Sequence, residues 1–292
     1  MDKEIIEKLK LVLVFLTFPA LGEGAKFLVK ALAHDGHKVA PVSILILNEV
    51  LSLSMFLIVI LVFKKLFMRN VSLLTEKKEG KVKDLLKKIE ISFCFLFGVK
   101  FIVAMLSAII LLALGLGTKV ENQVLLEQYA QHSMFIMGIG ACIIAPICEE
   151  FIFRGAIKEV IKNKWVFITV SGLTFGLMHV LDRYTLIIGI LLIGLYLDYI
   201  INKYNGNKRV YLSICGVLLI TVLLGGVLYL QNGNLIKLII NINYTEALGS
   251  IVYIAMGCTL AAVYHGYDKN IWVPIGAHSL NNIIGFVFML FQ

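Results

Sequence analysis

Residues 141–157 read ACIIAPICEEFIFRGAI, an apolar stretch that three charged side chains interrupt. Glu149 and Glu150 are adjacent, and Arg154 follows one helical turn later. Ionisable side chains at membrane depth are costly, and where they occur they usually belong to a functional site. The stretch therefore predicts a membrane-spanning helix that carries a reactive group.

The composition of the whole chain is typical of a membrane protein. Of the 292 residues, 59% are hydrophobic and only 16% are charged, and the mean hydropathy is +0.90. Soluble domains carry about 25% charged residues. Met1–Lys10 is charged and the apolar run after it lacks a small-residue cleavage pattern, so we expect no cleavable signal. These features predict an all-α, polytopic transmembrane helical bundle integral to the plasma membrane.

The apolar stretches predict a bundle of eight or nine helices. A span needs about 20 apolar residues, and the count depends on the first stretch, which Glu23 and Lys26 interrupt. We expect one integral membrane domain over 1–292, with a motif-bearing catalytic core at 133–292. The stretches lie at 10–33, 41–63, 91–117, 133–162, 165–181, 184–202, 210–230, 248–266 and 272–291.

The net charge of +8 is concentrated in one loop, where nine basic residues fall between Lys64 and Lys88. Basic loops between membrane spans stay on the cytoplasmic side. We therefore interpret the charge as topogenic or lipid-facing and expect no nucleic-acid partner. Alternation of the spans then places 118–132 outside, and we expect the short loop with His34 and His37 to be external as well.

Two polar positions are expected at the same depth in one helical hairpin. Glu149 lies about 14 residues before the turn at Asn163–Lys164 and His179 about 15 after it, so each lies roughly 21–23 Å from the tip. His278 lies about seven residues into the last stretch, roughly 10 Å from its start. We therefore expect all three side chains to meet about 10–15 Å below the cytoplasmic surface.

Spacing along the helix distinguishes the two glutamates. Glu150 and Arg154 are i,i+4 in the order that favours an ion pair, which leaves Glu149 for chemistry. Pro146 removes a backbone donor just before the pair. We expect a local opening there that admits water.

Two further pairs with i,i+4 spacing each share one helix face. Phe175 and His179 form the first, in which Phe175 is expected to serve packing, and His278 and Asn282 form the second. Asn281 points to a different face and is a weaker candidate. A carboxylate with a histidine can activate water as a general base, and an imidazole with an amide can donate hydrogen bonds to an oxyanion.

A zinc site is the alternative use of the same side chains. His179, His278 and a glutamate would form a His₂Glu site with one open position. The helical HExxH signature is absent from the sequence, and the five cysteines show no CxxC spacing. We favour catalysis without a cofactor and keep zinc as the variant.

Three short motifs occur in order in apolar stretches: Glu-Glu-x-x-x-Arg at 149–154, Phe-x-x-x-His at 175–179 and His-x-x-x-Asn at 278–282. In this combination the chain resembles the CAAX-protease and bacteriocin-processing (CPBP, Abi) family of intramembrane proteases. The resemblance covers about 140–185 and 250–285.

The resemblance implies a helical bundle that hydrolyses peptide bonds near the cytoplasmic side of the membrane. It implies that Glu149 and His179 activate water and that His278 and Asn282 bind the oxyanion. The chain departs from the family pattern in one respect, an apparent additional helical pair around 184–230.

The predicted function is an intramembrane endopeptidase that acts on a peptide or a membrane-anchored protein within the lipid bilayer. Acyl transfer to an amine by the same site is one alternative, and a non-enzymatic immunity or scaffold protein is the other. The predicted catalytic residues are Glu149, Glu150, Arg154, His179, His278 and Asn282.

Overall fold

The computed structural model describes residues 3–33, 40–76, 79–117, 133–179, 184–232 and 244–291, together with a few positions between 118 and 132. The loop with His34 and His37 and much of segment 118–132 therefore lie outside the described residues. Every secondary-structure element in the described part is a helix. The all-α prediction is confirmed for this part of the chain.

Ten helices make up the described chain, and we number them in chain order. The fifth contains two π segments, Gly140–Ile144 and Glu150–Ala156, within otherwise α geometry. The helices are α1 (Lys3–Leu32), α2 (Pro41–Val62), α3 (Lys64–Thr75), α4 (Lys81–Ala113), α5 (Met134–Val160), α6 (Lys164–Met178), α7 (Tyr184–Lys203), α8 (Gly206–Asn232), α9 (Tyr244–Gly266) and α10 (Trp272–Leu290).

Seven of these helices, α2, α4, α5 and α7 to α10, are long and apolar enough to cross a membrane, counting only described residues. The predicted count of eight or nine helices differs slightly from the ten helices in the described part of the chain, seven of which could span a membrane. The first apolar stretch contains an ion pair between Glu23 and Lys26 (3.1 Å), and α1 is not among the seven. Helix α6 has 15 residues, about 22 Å, against a hydrocarbon core of about 30 Å.

The chain separates into two compact units. We call them the Glu149 unit (Leu13–Gly98, Glu121–Ala156 and Ala262–Gln292) and the His179 unit (Met1–Val12, Val99–Val120 and Ile157–Ala261). The single membrane domain over 1–292, with its core at 133–292, stays a prediction.

In the Glu149 unit, the short helix α3 fixes the start of α10. Asn70 is buried, and its side-chain oxygen accepts a hydrogen bond from the Ile271 amide at 3.1 Å. Its carbonyl accepts a second bond from Trp272 Nε1 at 2.7 Å. The Trp272 ring packs edge-on against Phe151 at 6.3 Å. Since Phe151 directly follows Glu150, these contacts join the start of α10 to the glutamate-bearing turn of α5.

In the His179 unit, Asp198 of α7 holds the turn that precedes α6. Its Oδ1 accepts hydrogen bonds from the amides of Lys162 (3.0 Å) and Asn163 (2.7 Å). The Asn163 side chain then caps α6 by accepting from the amides of Trp165 and Val166. An N-cap of this kind satisfies amides that have no partner inside the helix. The turn therefore fixes where α6 begins.

Candidate active site

Glu150 is the centre of a buried ion network in the Glu149 unit. Its side chain and that of Arg154 have no exposed surface, and Arg154 Nε lies 3.0 Å from Glu150 Oε2. The other oxygen, Oε1, lies 2.9 Å from His278 Nδ1. A carboxylate only accepts hydrogen bonds, so Nδ1 carries the hydrogen. The helical spacing predicted the ion pair, whereas the bond to His278 comes from the packing of α5 against α10.

Glu149 has a different environment from its neighbour. Its side chain is 24% exposed, and its Oε2 lies 3.8 Å from His278 Nε2. That distance is longer than a hydrogen bond. His278 thus lies between the two carboxylates, bonded to Glu150 through one ring nitrogen and facing Glu149 with the other.

Helix α5 changes to π geometry over Gly140–Ile144, just before the glutamate pair. In a π turn each amide donates to the carbonyl five residues back, as the Ala145 amide does to the Gly140 carbonyl. The next carbonyl, that of Ala141, would receive its π bond from residue 146. Pro146 has no amide hydrogen, so this carbonyl turns to a partner outside the helix. The local opening expected at Pro146 is this π turn, whose Ala141 carbonyl is left without a donor inside the helix.

Asn282 supplies the missing donor. Its Nδ2 donates to the Ala141 carbonyl at 2.8 Å, and Asn281 Nδ2 donates to Asn282 Oδ1 at 3.0 Å. An amide nitrogen carries two hydrogens, so Asn282 can still donate to a developing oxyanion. Asn281 is buried and orients the Asn282 amide. The sequence placed Asn281 on a different helix face and did not predict this contact.

A further carboxylate that interacts with Glu149 was also missed. Glu49 is the only charged residue in α2. Its carboxyl group lies against Gly140, where an added Cβ would fall 2.6 Å from Glu49 Cδ. It also interacts electrostatically with Glu149. The signal was present in the sequence as a lone charge in an apolar span, the criterion that identified residues 141–157.

His179 lies at the C-terminal end of α6, in the His179 unit. Its Nδ1 is 2.8 Å from the Phe175 carbonyl. Because a carbonyl only accepts, the hydrogen lies on Nδ1 and the neutral ring presents Nε2 as an acceptor. This is the tautomer that a general base requires. The predicted meeting of His179 with Glu149 stays a prediction.

The donor set offers little to a metal ion. Among the described residues, no group of three or more His, Cys, Asp or Glu side chains is arranged to hold one. Both oxygens of Glu150 already face cationic or donor groups on Arg154 and His278. The cofactor-free mechanism and its zinc variant both stay predictions.

Comparison with protein families places these residues in a known group. A family model described as type II CAAX prenyl endopeptidase, Rce1-like, matches residues 131–215 and 207–284. Together the two segments cover more than half of the 292 residues. The chain belongs to the Rce1-like family. No curated protein and no solved structure matches it.

The Rce1-like match confirms the resemblance drawn from the three motifs. Its segments contain all six predicted site residues, whereas Glu49 lies before them. The two segments overlap at 207–215, at the start of α8. This overlap falls within 184–230, where the sequence predicts an additional helical pair.

Proposed function

We propose that this Rce1-like protein is an intramembrane endopeptidase that hydrolyses a peptide bond in a peptide or a membrane-anchored protein. One observation carries the proposal, the unequal environment of two adjacent carboxylates. Glu150 is buried between Arg154 and His278, whereas Glu149 is 24% exposed beside the same histidine. One carboxylate is thus committed to structure and the other can meet water and substrate. Membership of a protease family supports the same chemistry.

In the proposed reaction Glu149, assisted by His179, takes a proton from a water molecule as that water attacks the amide carbonyl carbon. The carbonyl oxygen becomes an oxyanion in a tetrahedral intermediate. The C–N bond then breaks, the carbonyl reforms as a carboxylic acid, and the proton held by the base passes to the leaving amine. The Nδ1–H of His179 is held by the Phe175 carbonyl, which supports Nε2 as the accepting nitrogen.

The oxyanion is proposed to bind His278 and Asn282. Since His278 gives its Nδ1 hydrogen to Glu150, it donates through Nε2 only as the imidazolium. The buried carboxylate of Glu150 stabilises that cation. Asn282 offers the second hydrogen of an amide that the Ala141 carbonyl already orients. Donors fixed in advance contribute most when the site has little water to rearrange.

The proposed orientation of the site in the membrane follows from the charge distribution. We propose that the site opens toward the cytoplasmic side of the plasma membrane, because the basic segment between Lys64 and Lys88 favours that side. This segment was predicted to be a loop, but it contains α3 and the start of α4. The expected partners are a peptide or membrane-anchored protein substrate and the surrounding lipid, with no nucleic acid.

The test uses purified protein in lipid vesicles, incubated with membrane peptides in water enriched in ¹⁸O. Hydrolysis should produce two fragments, with ¹⁸O in the new C-terminal carboxylate, detected by mass spectrometry. Acyl transfer would instead join the acyl fragment to an amine without the label, and a scaffold protein would leave every peptide intact. Either of these results would overturn the proposal. The Glu149→Gln protein serves as the inactive control.

Asn282→Ala is expected to lower kcat about 100- to 1000-fold with little change in KM, the usual effect of removing one oxyanion donor. Asn281→Ala should give a smaller loss, because it only orients the Asn282 amide. The control is Asn207→Ala, an exposed position in α8. Steady-state kinetics on the cleaved peptide measures all three. An unchanged kcat for Asn282→Ala would remove this residue from the mechanism.

We propose that catalysis does not require a metal ion. Protein washed with a strong chelator should keep its full rate, with metal content measured on the same sample by mass spectrometry. If the rate fell with loss of zinc and returned on adding zinc back, the His₂Glu variant would replace the metal-free mechanism.

A further inference from the structure

Helices α6 and α9 approach each other closely in the His179 unit because small residues face the opposite backbone. A Cβ added to Gly172 would lie 2.9 Å from the Cys258 amide nitrogen, and one added to Gly176 would lie 2.7 Å from that of Ile254. The two glycines form a G-x-x-x-G sequence, the spacing that lets helix backbones approach in membranes. No larger side chain fits at these two positions without moving α9.

These contacts fix an antiparallel register, since position numbers fall along α9 as they rise along α6. Continuing beyond the Gly176–Ile254 contact brings Tyr253 opposite His179. Their rings are nearly parallel, with 4.8 Å between centroids and 14° between planes. The Phe175 ring borders the same imidazole at 4.4 Å. The imidazole is therefore lined by two aromatic rings.

The stacked Tyr253 ring matters when His179 takes a proton. Its Nδ1 bonds a neutral carbonyl at 2.8 Å, and a neutral carbonyl compensates a positive charge less than a carboxylate would. When the ring takes a proton it becomes a cation in surroundings of low dielectric, where charge is costly. The face of an aromatic ring attracts a cation. A stacked tyrosine can therefore supply stabilisation that the backbone carbonyl does not.

We infer that Tyr253 is a positioning residue for His179, which shares the proton of the attacking water with Glu149 in the proposed reaction. Its ring holds the plane of the His179 imidazole and stabilises the protonated form during the reaction. The inference rests on the proposed function, in which His179 assists Glu149. Tyr253 belongs to none of the three motifs and acts only through the histidine.

The test compares Tyr253→Phe with Tyr253→Leu in the peptide cleavage assay. Phenylalanine keeps the ring and should retain the full kcat. Leucine keeps apolar bulk but loses the ring, so kcat should fall about tenfold while KM stays the same. A full rate in Tyr253→Leu, or an equal loss in both variants, would overturn the inference. Tyr253→Met is the second ring-free variant if the leucine protein does not fold.

A coupled variant separates positioning from a general structural role. In a His179→Ala background, Tyr253→Leu should leave the residual rate unchanged, because the ring has no imidazole to act on. A tenfold fall in that background would show that Tyr253 acts independently of His179 and would overturn the inference. Glu149→Gln in the same assay tests the proposed function itself. If Glu149→Gln stays active, the proposed function fails. If Glu149→Gln is inactive but Tyr253→Leu is fully active, only the role inferred for Tyr253 is rejected.

Discussion

Glu149→Gln is expected to lower kcat for peptide hydrolysis about a thousandfold, within the range for loss of a general base, with little change in KM. The amide matches the carboxylate in size but does not take a proton from water. The side chain is 24% exposed and glutamine has the same size, so folding should be unaffected. Steady-state kinetics in lipid vesicles measures the loss, and Glu90→Gln, at an exposed position, should keep the full rate. A Glu149→Gln protein with more than a tenth of the normal kcat would contradict the assignment.

The same kinetics can measure whether Glu149 and His179 act together. His179→Ala should also lose most of the rate, and the double variant should be no slower than the slower single one. Residues that act as a unit show this non-additivity. The two residues belong to different units of the chain, so the double variant tests their predicted meeting directly. Losses that multiply would mean that the two side chains work independently.

The sequence predicted the contacts within one helix and the approach of His278 to Glu149, which lie 3.8 Å apart, but not the bond between His278 and Glu150. The i,i+4 spacing predicted Arg154 beside Glu150 and Asn282 on the face of His278, although residues Glu150–Ala156 have π rather than α geometry. The 2.9 Å bond between Glu150 and His278 depends instead on the rotation and depth of α5 against α10. Hydropathy reports that a helix is buried in lipid but carries no information on its rotation. The network around Glu150 therefore emerged only from the packing.

The sequence did not predict the roles of Asn281 and Tyr253, for related physical reasons. Asn281 lies off the face of His278, yet its side chain reaches the next residue, Asn282, at 3.0 Å. Tyr253 is one of three tyrosines in the apolar helix α9, and nothing distinguishes it until its register with His179 is known. Glu49 was the exception, since a lone carboxylate in an apolar span is visible in the sequence. Side-chain reach and helix register decide these roles, and neither follows from periodicity.

Arg154→Met is expected to lower the free energy of unfolding by about 3–5 kcal/mol, the cost of breaking a buried ion pair by removing one partner. Both side chains are fully buried and 3.0 Å apart, so the Glu150 carboxylate would keep its charge with His278 as its remaining partner. Thermal unfolding of the detergent-solubilised protein measures the loss as a lower Tm. Lys208→Met, at an exposed position, is the control and should unfold at the normal temperature.

Removing both charges separates stability from activity. Glu150→Gln/Arg154→Met should recover part of the lost Tm, because no unpaired charge remains in the protein interior. It should not recover kcat, since His278 would lose the carboxylate that accepts its Nδ1 hydrogen and stabilises its protonated form. A double variant that regained the normal rate would show that the pair serves folding alone and that His278 needs no carboxylate. An Arg154→Met protein as stable as the unsubstituted chain would instead show that the ion pair does not stabilise the fold.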